Sequence, residues 1–314
     1  MRAAFAAAVT ELAAQDGRIL LLTGDLGFMA LEPFSNRFPG RFFNVGVAEQ
    51  NMVGLATGLA EAGYLPFVYS IAPFATLRPY EFIRNGPILH QLPVRIVGVG
   101  GGFEYGSAGP SHFSLEDVGV MRAQPGITII TPADSQQTRT ALLSTYDLPG
   151  PIYYRLGKDD KAIVPGLEGR FALGQAEILG DGRDLLLVAM GSSAVEAEAA
   201  ASDLARQGVG CTVVVIGSVQ PAPLETLTAM LGRFPIVMTV ESHYVNGGIG
   251  SLVAEVIAEK GHRCLLVRCA VKQSVSGITG SQAHLSQRYG VSRDALVEAA
   301  LSALGRRDEA GVAQ

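Results

Sequence analysis

Charged side chains are scarce in this chain. Asp, Glu, Lys and Arg make up 17% of its 314 residues, and the net charge is −5. No basic cluster offsets that balance, so a nucleic-acid partner is disfavoured. Long apolar runs are missing as well: none reaches the roughly 18 residues a membrane span needs. The N-terminal stretch is apolar, but Glu11 and Asp16 interrupt it and no cleavage site follows, so it does not read as a signal peptide. A cytoplasmic location is the expectation. Cysteine is limited to Cys211, Cys264 and Cys269, an odd number without close pairs. That disfavours a disulfide framework or a zinc site, and each cysteine lies in a Val/Leu-rich run that reads as core. Asparagine is absent between Asn85 and Asn246.

The composition is 48% hydrophobic with 38 glycines, as expected of a well-buried α/β protein rich in tight turns. The length fits two domains of about 150 residues each. In the first half, apolar runs expected as strands (18–23, 65–69, 93–99, 127–130 and 151–155) alternate with helical patterns (2–14, 31–38, 49–63, 73–89 and 134–146). The second half repeats the alternation, with strands over 184–190, 211–216, 236–240 and 263–268. Such an order predicts two consecutive three-layer α/β/α domains with mainly parallel sheets. Charge at Lys158-Asp159-Asp160-Lys161 and a turn at Pro165-Gly166 place a linker at 158–175, between domains over 1–157 and 176–306, with a frayed tail over 307–314.

One stretch organises the first domain. Phe42-Phe43 reads as a short buried strand, Gly46 as a turn, and Glu49 as the opening of a helix. The acid there could simply complement the helix dipole. It could also be a desolvated carboxyl held where a proton must be passed.

Gly46-Val47-Ala48-Glu49-Gln50-Asn51-Met52 resembles the G-[IV]-A-E-Q-N-M signature of the pyrimidine-binding domain of transketolases. Gly24-Asp25-Leu26, Phe38-Pro39-Gly40-Arg41, Gly109-Pro110-Ser111-His112, Arg122-Ala123-Gln124-Pro125 and Thr131-Pro132-Ala133-Asp134 follow the same family's order. The resemblance implies a thiamine-diphosphate enzyme moving a two-carbon ketol unit from a ketose, or ketose phosphate, to an aldose. It implies Glu49 as the catalytic glutamate that hydrogen-bonds the aminopyrimidine. Burial raises such a carboxyl by ~3–5 units. By the same resemblance Phe74 stacks on the pyrimidine, Tyr80 is a second cofactor aromatic, and Asp25 shapes the cofactor site. His112 contacts sugar hydroxyls or the covalent intermediate, and Arg155 and Arg2 hold the sugar phosphate. Core packing of Phe74 and Tyr80, and a turn role for Asp25, remain open from the residues alone.

The sequence departs from full-length transketolases at Gly100 and Ala108, where they carry a histidine and an aspartate that meet the substrate. The family's magnesium motif is Gly-Asp-Gly followed some way on by Asn. Gly180-Asp181-Gly182 mimics its start, but no asparagine follows before Asn246, so it reads as a hairpin-like loop. Mg²⁺ ligands and the diphosphate site are therefore expected from a separate N-terminal-half subunit, assembling as α₂β₂. Deoxyxylulose-phosphate-synthase-like carboligation, a 2-oxo acid dehydrogenase E1 β subunit, and a non-catalytic interaction subunit are the competing functions. His243, in the family-like run Glu241-Ser242-His243-Tyr244, reads as structural, as does Gly247-Gly248-Ile249-Gly250.

Overall fold

The computed structural model describes the backbone of residues 1–312 and the side chains of residues 1–305. The first half runs α1 (Arg2–Gln15), β1 (Ile19–Thr23), α2 (Glu32–Arg37), β2 (Phe42–Asn44), α3 (Glu49–Glu61), β3 (Leu65–Ile71), α4 (Ala72–Thr76), α5 (Tyr80–Ile83), β4 (Arg95–Val99), α6 (Asp117–Arg122), β5 (Thr128–Ile130), α7 (Ser135–Thr145) and β6 (Ile152–Leu156). The second runs β7 (Glu177–Leu179), β8 (Leu185–Met190), α8 (Ser193–Arg206), β9 (Cys211–Ile216), β10 (Ser218–Gln220), α9 (Leu224–Leu231), β11 (Ile236–Tyr244), α10 (Ile249–Lys260), β12 (Leu265–Val271), α11 (Gln282–Arg288) and α12 (Arg293–Val312).

Two mostly parallel sheets result. The first has the order β10-β5-β6-β4-β3-β1-β2 and the second β12-β11-β8-β9-β7. Their central strands are buried along their whole length because helices cover both faces, which explains the continuous apolar runs. Core clusters lie on either side of each sheet. One of them joins Met52, Val53 and Met121 of the first half to Leu227, Leu252 and Val253 of the second, so the halves share a core.

Several expectations change in detail. Phe42-Phe43 lies in an edge strand: Phe43 is exposed, since β2 has a neighbour on only one side. The helix expected over 73–89 is broken into α4, α5 and a π-helical turn over Arg84–Ile88, because Pro79 and Pro87 each remove a backbone donor. The Gly180-Asp181-Gly182 loop is not a hairpin. It carries the chain from edge strand β7 past β9 to β8. Gly182 is needed there because a Cβ would come within 2.1 Å of the Gly210 carbonyl carbon. Helix α12 continues to Val312 rather than giving way to a tail at 307, and residues 313–314 of that expected tail lie outside the described ones. Only Cys269 is fully buried; Cys211 and Cys264 are half-buried.

The Gly247–Gly250 run has a packing reason. Glu241, on β11, is fully buried and accepts the backbone N–H groups of Ile249 and Gly250 at 2.8 Å each, capping α10. A Cβ at Gly248 would stand 1.9 Å from the Glu241 Oε2.

Candidate active site

Strand β1 has β2 on one flank and β3 on the other, so the strand order reverses around it. Open α/β sheets place ligands at the carboxyl end of such a switch. The turn at Gly46, whose φ is +72°, delivers Glu49 there as the first residue of α3. Glu49 is 1% exposed as a residue, and its carboxyl lies against Gly24 just past β1. Ser70 of β3 donates to Oε1 at 3.1 Å, and Arg78 Nη1 donates to Oε2 at 2.9 Å. The guanidinium of Arg78 also lies over the ring of Phe74, its Cζ 3.7 Å from the ring centroid. Phe74 meets His112 edge-on with centroids 4.9 Å apart, and the His112 ring is 6.5 Å from that of Tyr105. His112 Nδ1 is paired with Ser111 Oγ at 3.0 Å.

The arrangement is a flat aromatic wall beside a nearly dry carboxyl, with a planar N–H donor bridging them. A planar nitrogen heterocycle needs the wall to stack on and the carboxyl to hydrogen-bond one ring nitrogen, and the bridging guanidinium marks the place it would take. Ser70 and Arg78 were not singled out from sequence. The i, i+4 spacing of Phe74 and Arg78 around a short helix is the signal that points to their contact.

The family model described as "Transketolase, pyrimidine binding domain" matches residues 1–161, and "Transketolase, C-terminal domain" matches residues 174–296. The chain belongs to the transketolase family. A "Putative transketolase C-terminal section" from Methanocaldococcus jannaschii is 35% identical over 95% of this chain and 94% of its own length. An apulose-4-phosphate transketolase subunit from Actinobacillus succinogenes is 35% identical over 87% of this chain and 88% of its own. Among solved structures, "Split gene transketolase, inactive beta4 tetramer" superposes with a TM-score of 0.85 at 33% identity, covering 96% of this chain and 97% of that one.

Within this transketolase chain the other expected site residues fall into two groups. Asp25 sits exposed at the rim with φ +57°; its N–H donates to Asn44 Oδ1 at 3.0 Å and its carboxylate accepts from Asn44 Nδ2 at 2.9 Å. That pairing makes it the turn beside Gly24. Arg2 opens α1 half-buried, with its Nε buried and unbonded, and its charge reaches Tyr69 and Tyr105. Lys158 has its Nζ 4.7 Å over the Tyr105 ring. Tyr105 also fills the space at Gly100, where a Cβ would come within 2.1 Å of the Tyr105 ring. The departure at Gly100 thus goes with an aromatic group occupying the place of its side chain.

For two further residues the hydrogen bonds run to other parts of the chain. Tyr80 donates its hydroxyl to Val120 O at 3.1 Å and accepts from Gln124 Nε2 at 2.6 Å. It is a strut between α5 and α6, because both its hydroxyl bonds are spent on the α6 region. Arg155 is 4% exposed and pairs bidentately with buried Asp117, Nε to Oδ2 at 2.7 Å and Nη2 to Oδ1 at 3.3 Å. Nη2 also donates to Ser114 O and Ser242 O. Nε and Nη2 are both spent inside the protein, so the phosphate-clamp expectation for Arg155 gives way to a buried tie between the halves. Burial alone would raise the Asp117 carboxyl, but Arg155, His243 and the Tyr153 hydroxyl outweigh it and hold it below the ordinary aspartate value. His243 belongs to the same tie. Its Nε2 accepts the Gly119 N–H at 3.2 Å and its Nδ1 lies 2.6 Å from Tyr244 O, while burial lowers its pKa. Among the described residues no group of three or more His, Cys, Asp or Glu could hold a metal ion.

Proposed function

We propose that this chain is the C-terminal-half subunit of a two-component, thiamine-diphosphate-dependent transketolase, and that a separate diphosphate-binding subunit completes its active site. The observation that carries this is the buried Glu49 carboxyl beside the Phe74 ring, with a flat nitrogen donor seated against both. That donor is a test of fit: the seat accepts a planar N–H group stacked on Phe74 and bonded to Glu49. Residues that would hold the cofactor's pyrimidine are therefore present. Ligands for Mg²⁺ and the diphosphate are assigned to the partner, in an α₂β₂ assembly. The names of the relatives, a C-terminal section and a transketolase subunit, support the division of labour.

When bound, thiamine diphosphate supplies the nucleophilic carbon that carries the two-carbon ketol unit from ketose to aldose. Glu49 holds or accepts a proton at the pyrimidine nitrogen, and Ser70 orients its other oxygen. Positioned proton transfer of this kind is worth about 10²–10⁴-fold. Phe74 supplies the stacking face and keeps water off the carboxyl. His112, against the edge of Phe74, faces the hydroxyls of the sugar. Lys158, over the Tyr105 ring, and Arg2, whose charge is felt at Tyr105, provide positive charge for a sugar phosphate.

Mixing tests the proposal. The purified chain should show no turnover alone and gain it with a diphosphate-binding subunit and a phosphorylated ketose donor, and Glu49→Ala should abolish the gain. Turnover by this chain alone, or an unchanged rate in the reconstituted Glu49→Ala complex, would refute it. Turnover with pyruvate but not with ketose phosphate would move the assignment to the deoxyxylulose-phosphate-synthase type.

A further inference from the structure

The pyrimidine seat described above already has an occupant from this chain. Arg78 covers the face of Phe74 at van der Waals distance and bonds Glu49 Oε2, the two contacts on which a planar heterocycle would depend. A second flat group cannot lie on that ring face while the guanidinium covers it. Arg78 lies just beyond α4, with Leu77 between, and its side chain is 40% exposed, whereas that of Glu49 is 2% exposed. The arginine therefore has a way out into solvent, and the carboxyl has none. Removing the guanidinium without replacing it would leave a buried carboxylate unpaired, which is a costly state. Arginine answers that need because its fork is planar, always charged and weakly hydrated.

We infer that Arg78 is an internal stand-in for the aminopyrimidine: it holds the seat while the chain is unliganded and is displaced when the cofactor ring enters. Arg78 is thus a residue that sets the affinity of this chain for its cofactor. The inference rests on the proposed function, because it takes the Glu49–Phe74 seat to be the pyrimidine site. Displacement costs the ion pair and the cation–π contact and returns the guanidinium to water. The incoming ring inherits both partners.

The test is titration of the full chain with 4-amino-5-hydroxymethyl-2-methylpyrimidine, followed by calorimetry, on wild type, Arg78→Gln and Arg78→Lys. Glutamine can bond Glu49 without covering the ring, and lysine keeps the charge without the plane. Losing a competitor of this kind should tighten binding about tenfold in R78Q, given the modest worth of half-exposed ion pairs and cation–π contacts. R78K should fall between R78Q and wild type, and it decides the matter if R78Q fails to fold. Equal or weaker binding by the folded R78Q, with wild type still binding, overturns the stand-in and leaves the proposed function standing. No binding by any folded form overturns the pyrimidine seat itself, and the inference with it.

Discussion

Replacing Arg155 distinguishes a buried tie from a substrate clamp. The guanidinium and the Asp117 carboxylate are both removed from water, 3% and 0% exposed, and joined at 2.7 Å. Arg155→Met keeps the length of the side chain but leaves Asp117 with one remaining donor, the Tyr153 hydroxyl at 2.6 Å. It also strips the carbonyls of Ser114 and Ser242 of their shared N–H donor. Breaking one side of a buried ion pair costs about 3–5 kcal/mol. Urea unfolding of the isolated chain, followed by circular dichroism and by tyrosine fluorescence, which no tryptophan masks, should show a loss of that size in R155M. The double variant Asp117→Leu/Arg155→Met should recover most of it, because two apolar groups can replace a buried pair at little net cost. A stability within about 1 kcal/mol of wild type falls inside the range of ordinary surface changes. Such a result in R155M, together with a raised KM for phosphorylated substrates in the reconstituted complex, would sink the buried-tie account and restore the clamp.

The remaining predictions concern the scaffold around the site. Burial raises the Glu241 carboxyl from 4.5 to about 7. Between those values the folded chain binds a proton that the unfolded chain does not, so this contribution is fully present below pH 4.5 and is lost as pH rises through about 7, by up to about 3 kcal/mol. Lowered His243 acts with the opposite sign, so the measurement is the difference between wild type and Glu241→Gln: the variant should gain stability relative to wild type from pH 5 to pH 8, and parallel urea profiles would contradict this. Gly248→Ala should destabilise by about 1–3 kcal/mol by overpacking against the Glu241 cap. Its backbone (φ −79°) tolerates alanine, so the effect is steric; Gly58→Ala at an exposed position of α3, with nothing within 4 Å of its Cβ, should instead gain about 0.5–1 kcal/mol. Arg95 is fully buried and donates Nε to Tyr146 O at 2.7 Å, Nη1 to Gly150 O at 2.5 Å, and Nη2 to Leu148 O. Arg95→Met should lower the melting temperature markedly, since each orphaned buried acceptor costs about 1–3 kcal/mol.

What the sequence made legible follows from how far apart the deciding residues lie. The central strands could be read because burial on both faces makes them continuously apolar, a property of the strand itself. Glu49 could be read because its turn, its helix start and its apolar neighbours are contiguous. Arg78 could not, because its meaning depends on Glu49, 29 residues away. Arg155 was misread for the same reason: a strand-end arginine looks like a ligand clamp until Asp117, 38 residues upstream, is folded against it. Tyr80 failed through local geometry. Pro79 and Pro87 break the expected continuous helix, and the turn that results sends its hydroxyl to α6 rather than to Phe74.

The same logic explains why the second half bears on a site it does not contain. Strand β10 leaves the second half to pair antiparallel with β5, closing the open edge of the first sheet. Ser242, on β11, accepts from Arg155; Gly119 of α6 donates to His243; and Arg122 of α6 donates to Gly247 O at 2.7 Å and pairs with Glu255 of α10. Helix α6 is thus held from the second half, and α6 in turn holds Tyr80, through Val120, in the segment that follows Phe74 and Arg78. A disturbance of β11 or α10 therefore reaches the segment after the aromatic wall through a chain of partly buried polar contacts. On the proposed function, the contribution of the C-terminal domain is to hold α6, and through it the segment that follows Phe74 and Arg78.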